Sequence, residues 1–531
     1  MAATPANLLT IISTGLADSR LEPPKGNPET SQFVKVLRKT TRWAYQIRQI
    51  NFDGEPNFGI KTSITIPRLA ELVGNFTLVV TLPDIYSTQL NAIKASGGTD
   101  FNNVGNFLGP LFSWTNSAGH ALIQLIELEI GGAIVDRMDG RLLEILDELY
   151  EPFETLKAKN NMIARNPTNF GQTSFIGSQT TPQKLYIPLP FWFSKGQIAQ
   201  FLPIDAISAE TVKIHITFRP LAQMTYSDGR IDNRTPGLTG TNNTMIPLLN
   251  SGFYRANPES PTLIYGVNET LYTTGISGEI IPGIQFPLRL NMGPTYILAE
   301  YVSVEDKEAI GLRSSELTYY IEQHNIITPI DSKRSNEVRI PLNIRNMTKE
   351  LFWVCQRPEA EAYNAWFLFT RDLAQVNAVK EPWWPDAILP LSETRDYKVL
   401  PGFRNAFSEP LSGATLLYGN QERFDLDGPS MFRAFIPSLH YRKGPAINRY
   451  IYAYSFGIKN SMRGYEDKMF GTPYSPKGVA NWDKLPKREL YLRLAYGRNN
   501  TTPPNLNIYT YTTSFNVLKV FGGRAGLLFD Y

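Results

Sequence analysis

The sequence predicts an all-β fold, an antiparallel sandwich or jelly roll, on three observations. Apolar residues recur with period two, helical spacing is scarce, and 39 Gly and 38 Pro punctuate the chain with turns. Val212, Ile214, Ile216 and Phe218 alternate with Lys213, His215 and Thr217. Phe76, Leu78, Val80 and Leu82 alternate with Asn75, Thr77, Val79 and Thr81, and Tyr509, Tyr511, Thr513, Phe515 and Val517 share one face. Ile64–Pro67, Leu185–Phe193 and Leu351–Gln356 also read as strands bounded by turn residues. The best helix is Arg141–Tyr150, where Leu142, Ile145, Leu146 and Leu149 form a stripe. Glu144, Asp147, Glu148 and Glu151 lie mainly off that stripe, and Pro152 ends it. Glu305–Leu312 is a second short candidate.

The chain has 531 residues, enough for about two to four domains. With 42% hydrophobic and 12% aromatic residues it has ample material for a packed core. One Cys excludes an intrachain disulfide framework and a thiolate zinc cluster within one chain, and four scattered His leave little for imidazole metal sites. No apolar run reaches the ~18 residues of a membrane-spanning helix. Before the short apolar patch Leu8–Ile12 there is no basic residue, so no signal peptide is read. The formal charge of +3 is uneven. The first 50 residues hold seven bases against three acids, which leaves the remainder about neutral. Residues 221–285, rich in Thr, Asn, Gly and Pro, separate two strand-rich halves and read as an elaborated surface loop. Tyr86–Asn106 and Thr370–Glu409 are further long polar loops.

Catalytic motifs are missing. Gly275-Ile276-Ser277-Gly278-Glu279 fails as a nucleophile elbow at its last position, and the dipeptide Gly-Lys of a phosphate-binding loop does not occur. Gly522, Gly523 and Gly526 follow a strand, but no helix follows them as a dinucleotide fingerprint requires. Glu127 and Glu129 share a strand face roughly 6.5–7 Å apart, a spacing open to a glycosidase pair. The structural alternative is a solvated strand face or a pair contacting nearby Arg137 and Arg141. His120, His215, His324 and His440 read as ordinary surface or hydrogen-bonded residues, and Cys355 as a small core or semi-buried hydrophobe. Seven N-x-[ST] triplets are what an Asn- and Thr-rich chain produces by chance.

Two features point to contacts instead. Lys35, Arg38, Lys39 and Arg42 form a basic cluster suited to an anionic partner or, equally, to a solvated strand face. Trp383 and Trp384, held between Pro382 and Pro385, form a stiff aromatic loop, either buried or in contact with a neighbouring subunit.

An ordered set of short stretches resembles the major capsid proteins of nucleocytoplasmic large DNA viruses, of the chlorella virus and iridovirus type. Gly26-Asn27-Pro28 with Phe33–Val36 and Arg38-Lys39-Thr40 is similar to the family's N-terminal signature. Ile126–Gly132 with Asp136 resembles its most typical strand and turn, and Ile187–Phe193, Leu202-Pro203 and Val212–Ile214 resemble the end of its first jelly roll. Glu300–Val302 through Tyr320–Gln323 resembles the opening of the second. Phe352–Val354, Asn420–Phe424 and Tyr452–Phe456 follow, and Leu506–Tyr509 with Asn516–Val520 is similar to the last strand.

The resemblance implies an all-β chain of two consecutive eight-stranded antiparallel jelly-roll sandwiches, a double jelly roll with a few short helices in loops. The expected divisions are an N-terminal arm at 1–25, a first jelly roll at 26–220, an extended loop at 221–288 and a second jelly roll at 289–531. It also implies a homotrimeric, pseudo-hexagonal capsomer tiling an icosahedral shell, with no enzymatic activity and no cofactor. The implied partners are further copies of the chain, minor capsid proteins and an internal viral membrane, not a sequence-specific nucleic acid. The implied place is the virion shell, after assembly in the host cytoplasm. Two alternatives remain: a membrane-shaping scaffold of the same lineage, and a carbohydrate-binding β-sandwich.

Overall fold

The computed structural model describes residues 42–84, 112–165, 183–194, 200–227, 290–344, 347–362, 364–371, 373–375, 403–405, 409–419, 421–445, 449–457, 478–485, 487–496 and 503–529. The first set of strands comprises β1 (Trp43–Asn51), β2 (Lys61–Thr65), β3 (Leu72–Leu82), β4 (Phe112–Trp114), β5 (Ile123–Ile130), β6 (Ala133–Met138), β7 (Gln183–Leu189), β8 (Val212–Phe218), β9 (Thr225–Ser227) and β10 (Thr295–Val304). Helices α1 (Ala118–Leu122), α2 (Gly140–Tyr150) and α3 (Phe153–Met162) lie among them, and α4 (Asp306–Ser314) leads to the second set. That set comprises β11 (Leu317–Asp331), β12 (Glu337–Pro341), β13 (Met347–Gln356), β14 (Leu373–Gln375), β15 (Phe403–Asn405), β16 (Leu411–Tyr418), β17 (Gln421–Asp427), β18 (Ile451–Ser455), β19 (Ala480–Asn481), β20 (Arg488–Leu494), β21 (Asn507–Phe521) and β22 (Arg524–Leu527). Helix α5 (Pro358–Ala362) follows β13, and a π-helical turn (Met431–Phe435) running into α6 (Ile436–His440) follows β17.

Hydrogen bonding divides the principal strands into two sandwiches of the same topology. In the first, β1-β10-β3-β7 faces β2-β8-β5-β6; in the second, β11-β21-β13-β18 faces β12-β20-β16-β17. With the eight principal strands of each half numbered in chain order, both halves read 1-8-3-6 against 2-7-4-5. This is the jelly-roll arrangement, with every pairing antiparallel. β10 therefore closes the first set of eight. Its ladder runs between β1 and β3, whereas the sequence reading grouped it with the second half. The reason for the difference is chain order: residues 228–289, the greater part of the loop expected at 221–288, lie outside the described residues, and the strand that follows them is the eighth of the first sandwich, not the first of the second; residues 221–227 form a 3-10 turn and β9.

Register carries the cores. Ile50, Ile297, Leu78 and Ile187 form one rung across the first sheet, and Ile64, Ile214 and Leu128 form one across the facing sheet. All are buried, each contributing roughly 1.5–3 kcal/mol by burial. In the second half Val338–Leu492–Ala414 and Ile340–Leu490–Leu416 are the corresponding rungs. They lie opposite Trp353, whose ring sits 5.2 Å from Phe432 and 5.9 Å from Tyr452. Gly131 and Gly132 both take positive φ in the β5–β6 hairpin, the conformation that a two-residue I′ turn demands.

Several local expectations shift. The strand expected over Leu185–Phe193 ends at Leu189, and Trp192–Ser194 forms a 3-10 turn. Pro190 supplies no N–H to continue the ladder. The alternation of β8 holds, with Val212, Ile214, Ile216 and Phe218 buried. β21 instead is buried on both faces from Thr510 to Leu518. One face lines the second core, and the other lies against the first sandwich.

Candidate functional site

The most heavily built part of the molecule is the joint between the sandwiches, and α2 is its centre. The Asp139 carboxylate caps α2 by accepting the Leu142 N–H at 2.7 Å. Its apolar stripe, Leu142, Ile145, Leu146 and Leu149, packs into the core as expected. The acidic side was expected merely to lie off that stripe; it too is buried, with every residue from Gly140 to Leu149 enclosed.

This burial is possible because each acid meets cations. Glu144 accepts from Arg165 at 2.6 Å, from Arg449 of the second half at 2.8 Å, and lies 2.7 Å from His120 Nδ1. Asp147 meets Arg165 at 2.9 Å and pairs with Lys159. Burial pushes the Glu144 carboxyl up, but the charges of Arg165 and Arg449 and the contact with His120 outweigh it. The group is held well below the ordinary carboxylate range. Asp147 is lowered on the same balance, with Lys159, His120 and Arg165 outweighing burial. Both are anions at neutral pH, so neither can act as a general acid there.

The remaining contacts of the joint also cross from one half to the other. The Arg141 guanidinium donates to Gln356 Oε1 at 3.0 and 3.1 Å, pairs with Glu361 and lies 3.9 Å from the Tyr509 ring centroid. Tyr511 donates to Asp139 at 2.8 Å and Tyr150 donates to Glu350. On β6, Asp136 accepts the His324 backbone N–H at 2.8 Å and lies 3.1 Å from its ring, while Gln323 donates to the Val135 carbonyl at 2.6 Å. The β21–β22 hairpin adds a second contact: Ala209 donates to the Gly523 carbonyl at 2.9 Å, and Ala525 to Glu210 at 2.9 Å. Buried, mutually paired charges of this kind fix one orientation, because any slip leaves an ion unpaired in low dielectric.

The residues singled out from sequence fall elsewhere. Lys35, Arg38 and Lys39, and Trp383 and Trp384, lie outside the described residues; Arg42 is exposed immediately before β1. Glu127 and Glu129 are separately paired: Glu127 with Lys61 at 2.7 Å and Arg137 at 3.1 Å, and Glu129 with His215 at 2.7 Å. Burial raises the Glu127 carboxyl, but Lys61, Arg137 and His215 together hold it below its ordinary value, the opposite of what a glycosidase acid needs. Arg141 belongs to the joint and not, as the sequence reading had it, to this pair. Cys355 is fully buried, and burial together with the Glu409 charge pushes its thiol up to about 12, so it serves as core. His120 and His324 are hydrogen-bonded, and both are buried, not at the surface. The joint was missed because its partners lie up to 372 residues apart in sequence. The one local signal was the density of acids on α2.

Comparison with known proteins follows the same two halves. A family model described as the N-terminus of a major capsid protein matches residues 31–249, and one described as the large eukaryotic DNA virus major capsid protein matches residues 308–526. Probable capsid protein 4 of Acanthamoeba polyphaga mimivirus is 23% identical over 98% of this chain and 99% of its own length. The major capsid protein of Chrysochromulina ericina virus is 24% identical over 72% of this chain and 62% of its own. Among solved structures, a chain of the PBCV-1 virus capsid superimposes with a TM-score of 0.61 at 18% identity, covering 94% of this chain and 100% of that one. At that identity the likeness speaks to the fold.

Proposed function

The chain belongs to the major capsid proteins of large eukaryotic DNA viruses, and from that premise we propose that it works as a homotrimer whose six sandwiches form a pseudo-hexagonal capsomer. As a capsid protein it takes its place in the virion shell with copies of itself. The observation that carries the trimer reading is the buried joint. It makes two sandwiches of identical topology into one rigid unit with a fixed angle between them, which is what regular tiling needs. Function then resides in packing and not in turnover, and the paired state of Glu127, Glu144 and Asp147 supports a chain without enzymatic activity.

Minor capsid proteins and an internal membrane are the further partners in this reading, with the basic segment Lys35, Arg38, Lys39 and Arg42 on the inner side of the shell and assembly in the host cytoplasm. Trp383 and Trp384 are proposed contacts between subunits. The division into an arm at 1–25, a loop at 221–288 and two jelly rolls is retained, with β10 counted in the first. Sedimentation of the purified protein tests the reading. The expected species has about three times the chain mass of 59.9 kDa, since closed cyclic symmetry is the common form of such assemblies. A stable monomer at high concentration contradicts it.

A further inference from the structure

We propose that the helical segment Met431–His440 of the second sandwich docks, in a neighbouring copy of this chain, on the outer face of β1-β10-β3, and that this contact repeats the joint already built inside the chain. The inference rests on the trimer reading and names the surfaces through which the copies meet.

The internal joint joins unlike surfaces. The fifth strand of the first sandwich and the helix after it, β6 and α2, lie against the sheet of the second sandwich that carries its first, eighth and third strands, β11, β21 and β13. Because both sandwiches share one topology, each surface has a counterpart. The second sandwich has its own fifth strand and following helix, β17 and Met431–His440. The first has its own sheet face, β1-β10-β3.

Both counterparts expose apolar side chains where the internal joint buries its own. Phe435 is 55% and Leu439 43% exposed, four residues apart on one side of the helix. On β1, Trp43, Tyr45 and Ile47 are 55%, 60% and 54% exposed. They lie on the outer face, since Ile50 on the other face belongs to the core. The corresponding strand β11 has Glu322 and His324 buried on its outer face. Three aligned large apolar side chains on an edge strand are a liability unless covered. A contact between unlike surfaces of identical copies propagates around a ring. Three chains so joined hold six sandwiches at six similar joints.

Single cysteines test the contact, because Cys355 is the chain's only cysteine and is buried. Trp43→Cys, Tyr45→Cys or Ile47→Cys chains are co-expressed with Phe435→Cys or Leu439→Cys chains, assembled, sedimented and oxidised. The expected result is trimers in which at least one of these pairings gives disulfide-linked chain pairs, while each variant alone gives none. Trimers without a cross-link in any pairing overturn the inference and leave the trimer reading standing. Absence of trimers from the wild-type chain overturns both.

Discussion

Glu144 is the residue on which the joint depends most. It lies between two buried arginines, one from each half. Glu144→Gln leaves Arg165 and Arg449 without their shared counter-charge. Loss of one member of a buried ion pair costs about 3–5 kcal/mol, and denaturant unfolding should show a loss of that order. The pH dependence has a definite sign. The folded-state carboxyls of Glu144 and Asp147 are depressed below their ordinary 4.5 and 3.8. Their contribution is therefore fully present above about pH 4.5 and is lost as pH falls through the folded values. Stability measured from pH 6 down to pH 3 should fall, and Glu144→Gln should flatten that fall. None of this was visible residue by residue. The sequence shows acids on a helix, but Arg449, which reaches them in the fold, lies 305 positions further along the chain from Glu144.

Among elements, α2 was the best read and its surroundings the least. Its apolar spacing and terminating proline place it to within a residue. Its acidic side is enclosed by His120, Lys159 and Arg165 of the first half and by Arg449 of the second, a set that no local pattern announces. Two substitutions test how the helix is held. A Cβ on Gly140 would come 2.1 Å from the His120 carbonyl oxygen and 2.9 Å from that of Ile123, both backbone atoms that cannot yield. Gly140→Ala should destabilise by about 1–3 kcal/mol or more, seen as a lowered Tm. Asp139→Ala removes the Leu142 cap and the partner of the buried Tyr511 hydroxyl. The cap alone accounts for about 1–2 kcal/mol, and Asp139→Asn, which still accepts from Leu142, should recover part of it. β10 shows the opposite limit. Its strand character is plain in Thr295–Val304, but membership of a sheet is a long-range property, and only the ladder to β1 and β3 assigns it.

For the whole molecule, alternation and turn residues were enough to read a β-sandwich. The doubled topology was legible only through the ordered family motifs, because strand order within a sheet leaves no periodic trace. The charge distribution fits the same picture: the excess sits in the first 50 residues, and the near-neutral remainder can pack side by side without strong repulsion. Deleting residues 1–25 should therefore leave sedimenting trimers intact while impairing shell closure or membrane association; loss of the trimer would place the arm in the fold itself. In the proposed trimer, two locked sandwiches per chain become six per capsomer. Electron microscopy of the assembled protein tests it most directly. Particles with a pseudo-hexagonal outline and six lobes arranged about a threefold axis are expected; isolated two-lobed particles, or assemblies without that axis, would rule out the proposed trimer.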